Sequence, residues 1–148
     1  CALPILLLGV TGGRPDHHLA GLMEIVDAAA EFDSPVLFRM LEPGCEWFVI
    51  HARRPITLAW TSEPGEPVSL FSLDGRAKFR SLKGLKYGSS VGREVQLMAG
   101  SHGLSNEAKG RRVEVRLESG TLLGVLPGVK SKSEPGDRKW IVKTGRTR

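Results

Sequence analysis

The chain has little cysteine, no histidine pair at metal-ligand spacing and no long apolar run. Two cysteines, Cys1 and Cys45, in 148 residues make no disulfide framework. The four histidines, at positions 17, 18, 51 and 102, show no zinc-ligand rhythm. The longest apolar stretch, Ala2 to Leu8, is interrupted by Pro4. It is far too short to span a bilayer, and no basic region precedes it. These absences exclude a disulfide scaffold, a zinc module and a helical membrane protein, and they set a cytoplasmic location as the expectation. No internal repeat is evident, which excludes a solenoid.

What is present suits an ordinary globular chain. With 41% apolar residues the sequence can build one domain with a sizeable core, or the larger part of two small ones. The formal charge of +5 is uneven along the chain. Residues 129–148 hold seven Lys or Arg against Glu134 and Asp137, leaving fourteen basic and fourteen acidic residues before them. A neutral body with a basic end predicts a flexible tail over 129–148 and no nucleic-acid groove. No membrane partner is expected either.

"LPILLLGV" (3–10) is a short apolar run ended by glycine, the form of a buried strand in a parallel sheet. After it, Leu19, Leu22, Met23, Val26, Ala29 and Ala30 fall at spacings of three and four, which predicts a helix from Asp16 to Phe32 with Asp16 as N-cap behind Pro15. "SPVLFRMLE" (34–42) reads as a second strand. Residues 3–42 therefore form a β-α-β unit, and a parallel strand needs neighbours on its sheet, so further chain is expected ahead of Cys1. From Cys45 onward short strands recur between turn residues: "EWFVIHA", "PITLAWTS", "PVSLFSL", "AKFRSLKGLKY", "RVEVRLES" and "GTLLGVLP". The expected fold class is α/β followed by all-β: a partial Rossmann-like β-α-β unit over 1–43, an antiparallel β-sandwich or jelly-roll-like domain over 44–128, and the tail.

Two stretches carry chemistry. In "GVTGGRPDHHLAGL" (9–22), backbone amides at a helix start, with Gly12 and Gly13 permitting close approach, make an anion site. Arg14 adds a forked phosphate donor, and Asp16 can hold magnesium against phosphate oxygens. It is neither the phosphate-loop motif nor the dinucleotide fingerprint, and the same residues also suit a plain tight turn. Of His17 and His18, one is expected to face solvent and the other to pack on the turn, where a buried neutral histidine could orient Asp16. In "GSHGLSNEAKG" (100–110), Ser101, Ser105 and Asn106 offer hydroxyls and an amide suited to a polar heterocycle, although Ser, Asn and Gly also simply make turns.

Taken together, "GVTGGRPDHHLA", "GLKYG", "SHGLSNEAKG" and "GTLLGVLP", in this order and at these separations, resemble the second half of the thiamine pyrophosphokinase (thiamine diphosphokinase) family, from Leu3 to Pro127. The resemblance implies transfer of a diphosphoryl group from ATP to thiamine, giving thiamine diphosphate and AMP with Mg2+. It also implies a homodimer in which thiamine lies between the α/β domain of one subunit and the sandwich of the other. On that pattern Arg14 and Asp16 are catalytic, Asp16 holds magnesium, and Gly12 and Gly13 bind the ATP phosphates. Ser101, Ser105 and Asn106 bind thiamine, with Tyr87 as an aromatic partner for its rings.

Two departures accompany the likeness. The family's main acidic motifs lie ahead of the glycine turn, in a portion this sequence lacks, so the chain alone is not expected to be active. Gly21 stands where the family commonly has asparagine. The rival expectations are a non-catalytic thiamine-binding or regulatory module without an ATP site and, more weakly, a nucleic-acid adaptor using the basic tail.

Overall fold

In the computed structural model, which describes residues 4–8, 14–73, 77–88, 95–97, 103–128 and 138–145, the run PILLL forms strand β1 (Pro4–Leu8). The stripe behind it forms helix α1 (Pro15–Glu31). Strand β2 (Leu37–Glu42) follows and lies parallel to β1, with Leu8 beside Leu41. This is the expected β-α-β unit. The helix start differs from expectation: Pro15 takes the first helical position, where its missing N–H is harmless, and Arg14 is the N-cap, without a side-chain capping bond. Asp16 is therefore not the cap. It stands inside the first turn, where a carboxylate favours the positive end of the helix dipole. Of the candidate site residues, Gly12, Gly13 and Ser101 lie outside the described residues.

At Pro43-Gly44 the chain turns back in a two-residue hairpin, Glu42 opposite Cys45, into strand β3 (Cys45–Ala52). The sheet thus runs unbroken through the expected domain boundary. The remaining strands are β4 (Ile56–Thr61), β5 (Pro67–Phe71), β6 (Ala77–Lys83), β7 (Val95–Leu97), β8 (Asn106–Glu107), β9 (Arg112–Pro127) and β10 (Trp140–Thr144). Among the described residues β1 and β2 are the one parallel pair, and every other pairing is antiparallel. One parallel pair followed by a hairpin makes a mixed, curled sheet, so the Rossmann-like description is not confirmed.

"RVEVRLES" and "GTLLGVLP" are not two strands but one, β9, of 16 residues. Its first half runs between β4 and β6, and its second between β3 and β5. The change of partners falls at Gly120, whose φ of +91° is open to glycine and bends the strand without reversing it. β9 is the spine on which the two layers fold over one another.

The space between the layers holds the larger core, with Phe48 and Ile50 from β3, Leu58 and Trp60 from β4, Phe79 from β6 and Val113, Val115 and Leu117 from β9. Leu22, Ile25, Val26 and Ala29 of α1 cover the opposite face of β2 and β3, packing on Phe38, Met40 and Val49. β3 is thus buried on both faces, which is why "WFVI" reads as a continuous apolar run. β1 is left at the sheet edge, with Leu6 and Leu8 exposed.

The C-terminal segment corrects the expectation of a loose basic tail where it is described. β10 pairs with β4, Trp140 beside Trp60, and adds a strand to the curled sheet. Arg138, just before it, is mostly buried and bonded to Glu46 and Glu66. Alternation explains the docking: Trp140 and Val142 pack against the core while Ile141 and Lys143 stay exposed. Among the described residues no helix is long and apolar enough to cross a membrane.

Candidate functional site

The structure gathers the described candidate residues into two groups. At the start of α1, Arg14 Nε donates to Asp16 Oδ1 at 3.1 Å and Arg14 Nη2 to Asp16 Oδ2 at 2.5 Å, a bidentate pair. Both side chains are largely exposed. The Arg14 guanidinium holds the Asp16 carboxyl below the usual carboxylate range. His17 is exposed, and His18 packs edge-on against Trp47 with ring centroids 5.1 Å apart. His18 therefore does not orient Asp16; the carboxylate is oriented by Arg14.

At the start of β3, burial pushes the Cys45 thiol up to about 11, with the charges of Glu42 and Glu46 adding. Among the described residues no group of three or more His, Cys, Asp or Glu is arranged to hold a metal. The carboxylate of the helix-start pair, Asp16, has both oxygens engaged by Arg14. These residues alone do not form a magnesium site, since such sites need further oxygen ligands from phosphates or other carboxylates.

The second group forms where the GLKYG turn meets β8. Gly84 has φ +77°, and a Cβ there would fall on the Arg112 carbonyl oxygen, so the turn entrance requires glycine. Lys109 N donates to Gly84 O and Lys86 N to Glu107 O, each at 2.8 Å. Leu85 and Ala108 add an isolated antiparallel bridge. Asn106 completes the closure: its Oδ1 accepts from Tyr87 N at 3.0 Å and Glu107 N at 2.9 Å, and its Nδ2 donates to Tyr87 O at 3.0 Å. Asn106 is 7% exposed, whereas Tyr87 is 65% exposed.

Ser105, before Asn106, has φ +56°, the one positive φ outside glycine among the described residues. Such a conformation in a residue other than glycine is uncommon and concentrates at functional sites. Its N–H points to Ser69 Oγ at 3.4 Å.

Tyr87, Ser105 and Asn106 are therefore brought together, as are Arg14 and Asp16. Among the described residues no hydrogen bond, ion pair or ring contact joins one group to the other. Sequence reasoning missed Lys86 and Glu107, which pair at 3.3 Å beside the tyrosine, with Lys86 Nζ 5.9 Å from its ring centroid. The signal was their position inside the two motifs already singled out.

No protein-family model matches the sequence, and no curated protein matches it. Solved structures do. The thiamine pyrophosphokinase of Bacillus subtilis superposes with a TM-score of 0.64 at 18% identity, over 84% of this chain and 55% of that one. The likeness is one of fold. The thiamin pyrophosphokinase of Geobacillus thermodenitrificans gives 0.61 at 22% identity, over 88% and 56%, and that of Candida albicans 0.63 at 13%, over 87% and 46%. The chain thus has the fold of part of these enzymes and spans about half the length of each.

Proposed function

We propose that the protein is a thiamine diphosphokinase, or the thiamine-recognising part of one. The observation that carries this reading is the closure of the GLKYG turn on the Ser105-Asn106 segment, within a fold shared with thiamine pyrophosphokinases. An exposed aromatic ring beside a hydroxyl-bearing residue of unusual φ suits an aromatic heterocycle. Arg14 at the start of α1, with Gly12 and Gly13 ahead of it, supplies charge and backbone amides for the phosphates of ATP.

In the reaction, the thiamine hydroxyl oxygen attacks the β-phosphorus of ATP, the bond from that phosphorus to the bridging oxygen of AMP breaks, and the hydroxyl proton is released. The chain's own residues act by position and charge: Arg14 holds phosphate oxygens, Asp16 orients Arg14, and Tyr87 and Ser105 hold thiamine. Mg2+ belongs to this reading through Asp16, but the described residues do not complete its site and no step is assigned to it. A homodimer belongs to this reading as the family resemblance implies it, with thiamine between the α/β part of one subunit and the β-rich part of the other. Exposed Leu6 and Leu8 on β1 favour a covering surface from further α/β structure.

The second reading is a non-catalytic thiamine-binding or regulatory module, which uses the group of Tyr87, Ser105 and Asn106 and not Arg14 and Asp16. Incubating the full-length product of the natural gene with ATP, Mg2+ and thiamine and following AMP separates the two. Thiamine-dependent AMP release that falls in Asp16→Asn while thiamine affinity is kept supports the kinase. Binding of thiamine without AMP selects the module, and absence of binding rejects both.

A further inference from the structure

Asn106 is the polar residue of its loop that a ligand-binding reading would first select. Its bonds are already committed. A side-chain amide offers two acceptor positions on oxygen and two N–H donors; Oδ1 takes the N–H groups of Tyr87 and Glu107, and one Nδ2 proton goes to Tyr87 O. Three of the four positions are filled, all by main-chain groups. The side chain is nearly buried, and two of the three bonds hold both polar groups of one residue, Tyr87. The amide thus stands in for a neighbouring strand, pairing with Tyr87 as backbone would.

What is held in this way is the chain's one tyrosine, with its ring open to solvent. The turn is fixed on either side as well: a Cβ at Gly84 would meet the Arg112 carbonyl and one at Gly88 the Leu82 carbonyl. Backbone bonding of this kind fixes where the Tyr87 side chain leaves the chain before any ligand arrives, so that only its two side-chain torsions remain to be ordered on binding, which lowers the ordering cost. We infer that Asn106 is a positioning residue: it does not contact the ligand through its remaining N–H but fixes Tyr87 as a ready platform for a flat heteroaromatic cation. This deepens the proposed function and rests on that reading for the identity of the cation, thiamine.

The test is a double-mutant cycle on thiamine affinity in the 148-residue chain, using Tyr87→Ala, Asn106→Ala and the two combined, with tyrosine labelled so that the single ring signal can be followed by NMR. Each single change weakens thiamine about tenfold, the scale of one aromatic stacking contact. The double variant binds no more weakly than Tyr87→Ala, because Asn106 acts through the ring alone. An equal loss from Asn106→Ala in the presence and absence of Tyr87 means direct contact and overturns the inference. So does an unchanged affinity for Asn106→Ala. Should Asn106→Ala fail to fold, Asn106→Asp keeps the two accepted N–H bonds and loses the donated one. It must then weaken thiamine only when Tyr87 is present, and a loss independent of Tyr87 overturns the inference in the same way.

If the unmodified chain does not bind thiamine, the proposed function fails at this site while the clamp is still read directly. A tyrosine signal that shifts or changes width in Asn106→Ala upholds the clamp, and an unchanged signal rejects it.

Discussion

The indole of Trp140 lies on that of Trp60, ring centroids 5.4 Å apart and planes 30° from parallel, and meets Phe48 edge-on at 4.9 Å. Its Nε1 donates to Glu46 Oε1 at 3.1 Å, and the Arg39 guanidinium stands 5.5 Å from its ring centroid. A segment that composition marks as a basic tail therefore contributes to the aromatic centre of the larger core.

Trp140→Ala removes one member of this stack and leaves Trp60, otherwise buried, facing a void. The expected cost is about 3 kcal/mol, at the lower end for large aromatic truncations because Trp140 is only partly buried. Urea unfolding followed by circular dichroism measures it. A midpoint equal to that of the unmodified chain would show that β10 is not docked in solution.

Arg138 joins two buried carboxylates. Its Nε donates to Glu46 Oε2 at 3.1 Å, its Nη1 donates to Glu66 Oε2 at 3.1 Å, and its Nη2 bonds Glu66 Oε1. Burial works against its charge, but Glu66 and Glu46 more than offset this, and the net effect raises its pKa. Arg138→Ala leaves Glu66 uncompensated, while Glu46 keeps Arg39 at 2.7 Å. The expected loss is about 3 kcal/mol. Adding Glu66→Gln to Arg138→Ala recovers part of it, whereas additive losses in the same unfolding measurement would contradict the charge argument.

How much of this was readable beforehand follows from the range of each interaction. The β-α-β unit is written in local periodicity and stood out, whereas EWFVIHA read as one short strand among several, and its burial on both faces shows only once α1 is placed over it. β9 was split because Ser119-Gly120 has the composition of a turn, and only its partners on both sides show that the chain merely bends there. β10 carried a signal in the Trp-Ile-Val run that the surrounding charge obscured. Arg138 could not be read at all, since its partners lie 92 and 72 residues away. The candidate site divides likewise: the types and motifs of Tyr87, Ser105 and Asn106 were visible, but Asn106 turning its amide onto Tyr87 is a contact across 19 residues.

Cys45 offers a check on the helix-covered side of the sheet. With its thiol pushed up to about 11, it carries at pH 8 roughly a hundred-fold less thiolate than an ordinary cysteine. In a Cys1→Ser background, alkylation by iodoacetamide is correspondingly slow, and Glu42→Gln speeds it by removing one of the charges that disfavour the thiolate. Because the folded value is the higher one, the stability tied to this thiol is complete below the ordinary value and declines as pH rises toward 11. Thermal melting should fall between pH 8 and pH 10 by more in this protein than in Cys45→Ala. Alkylation at the rate of a free thiol would show that the site is open.

Asp16 titrates in the opposite sense. The Arg14 bonds lower its carboxyl, burial opposes them weakly, and the main-chain N–H groups of His17 and Asp16 add to the lowering. A depressed folded value means that the interaction is complete above the ordinary carboxylate range and is lost as pH falls through the lower folded value. Both partners are exposed, so global stability is a poor reporter, and NMR titration of the Asp16 carboxyl is the direct one. Arg14→Gln should return the carboxyl toward its ordinary range. Inorganic pyrophosphate should raise it too, by drawing the guanidinium away and placing negative charge beside Asp16, and this second rise should vanish in Arg14→Gln. A carboxyl that responds to the substitution but not to pyrophosphate would keep the ion pair as a feature of the helix start and remove Arg14 from phosphate binding.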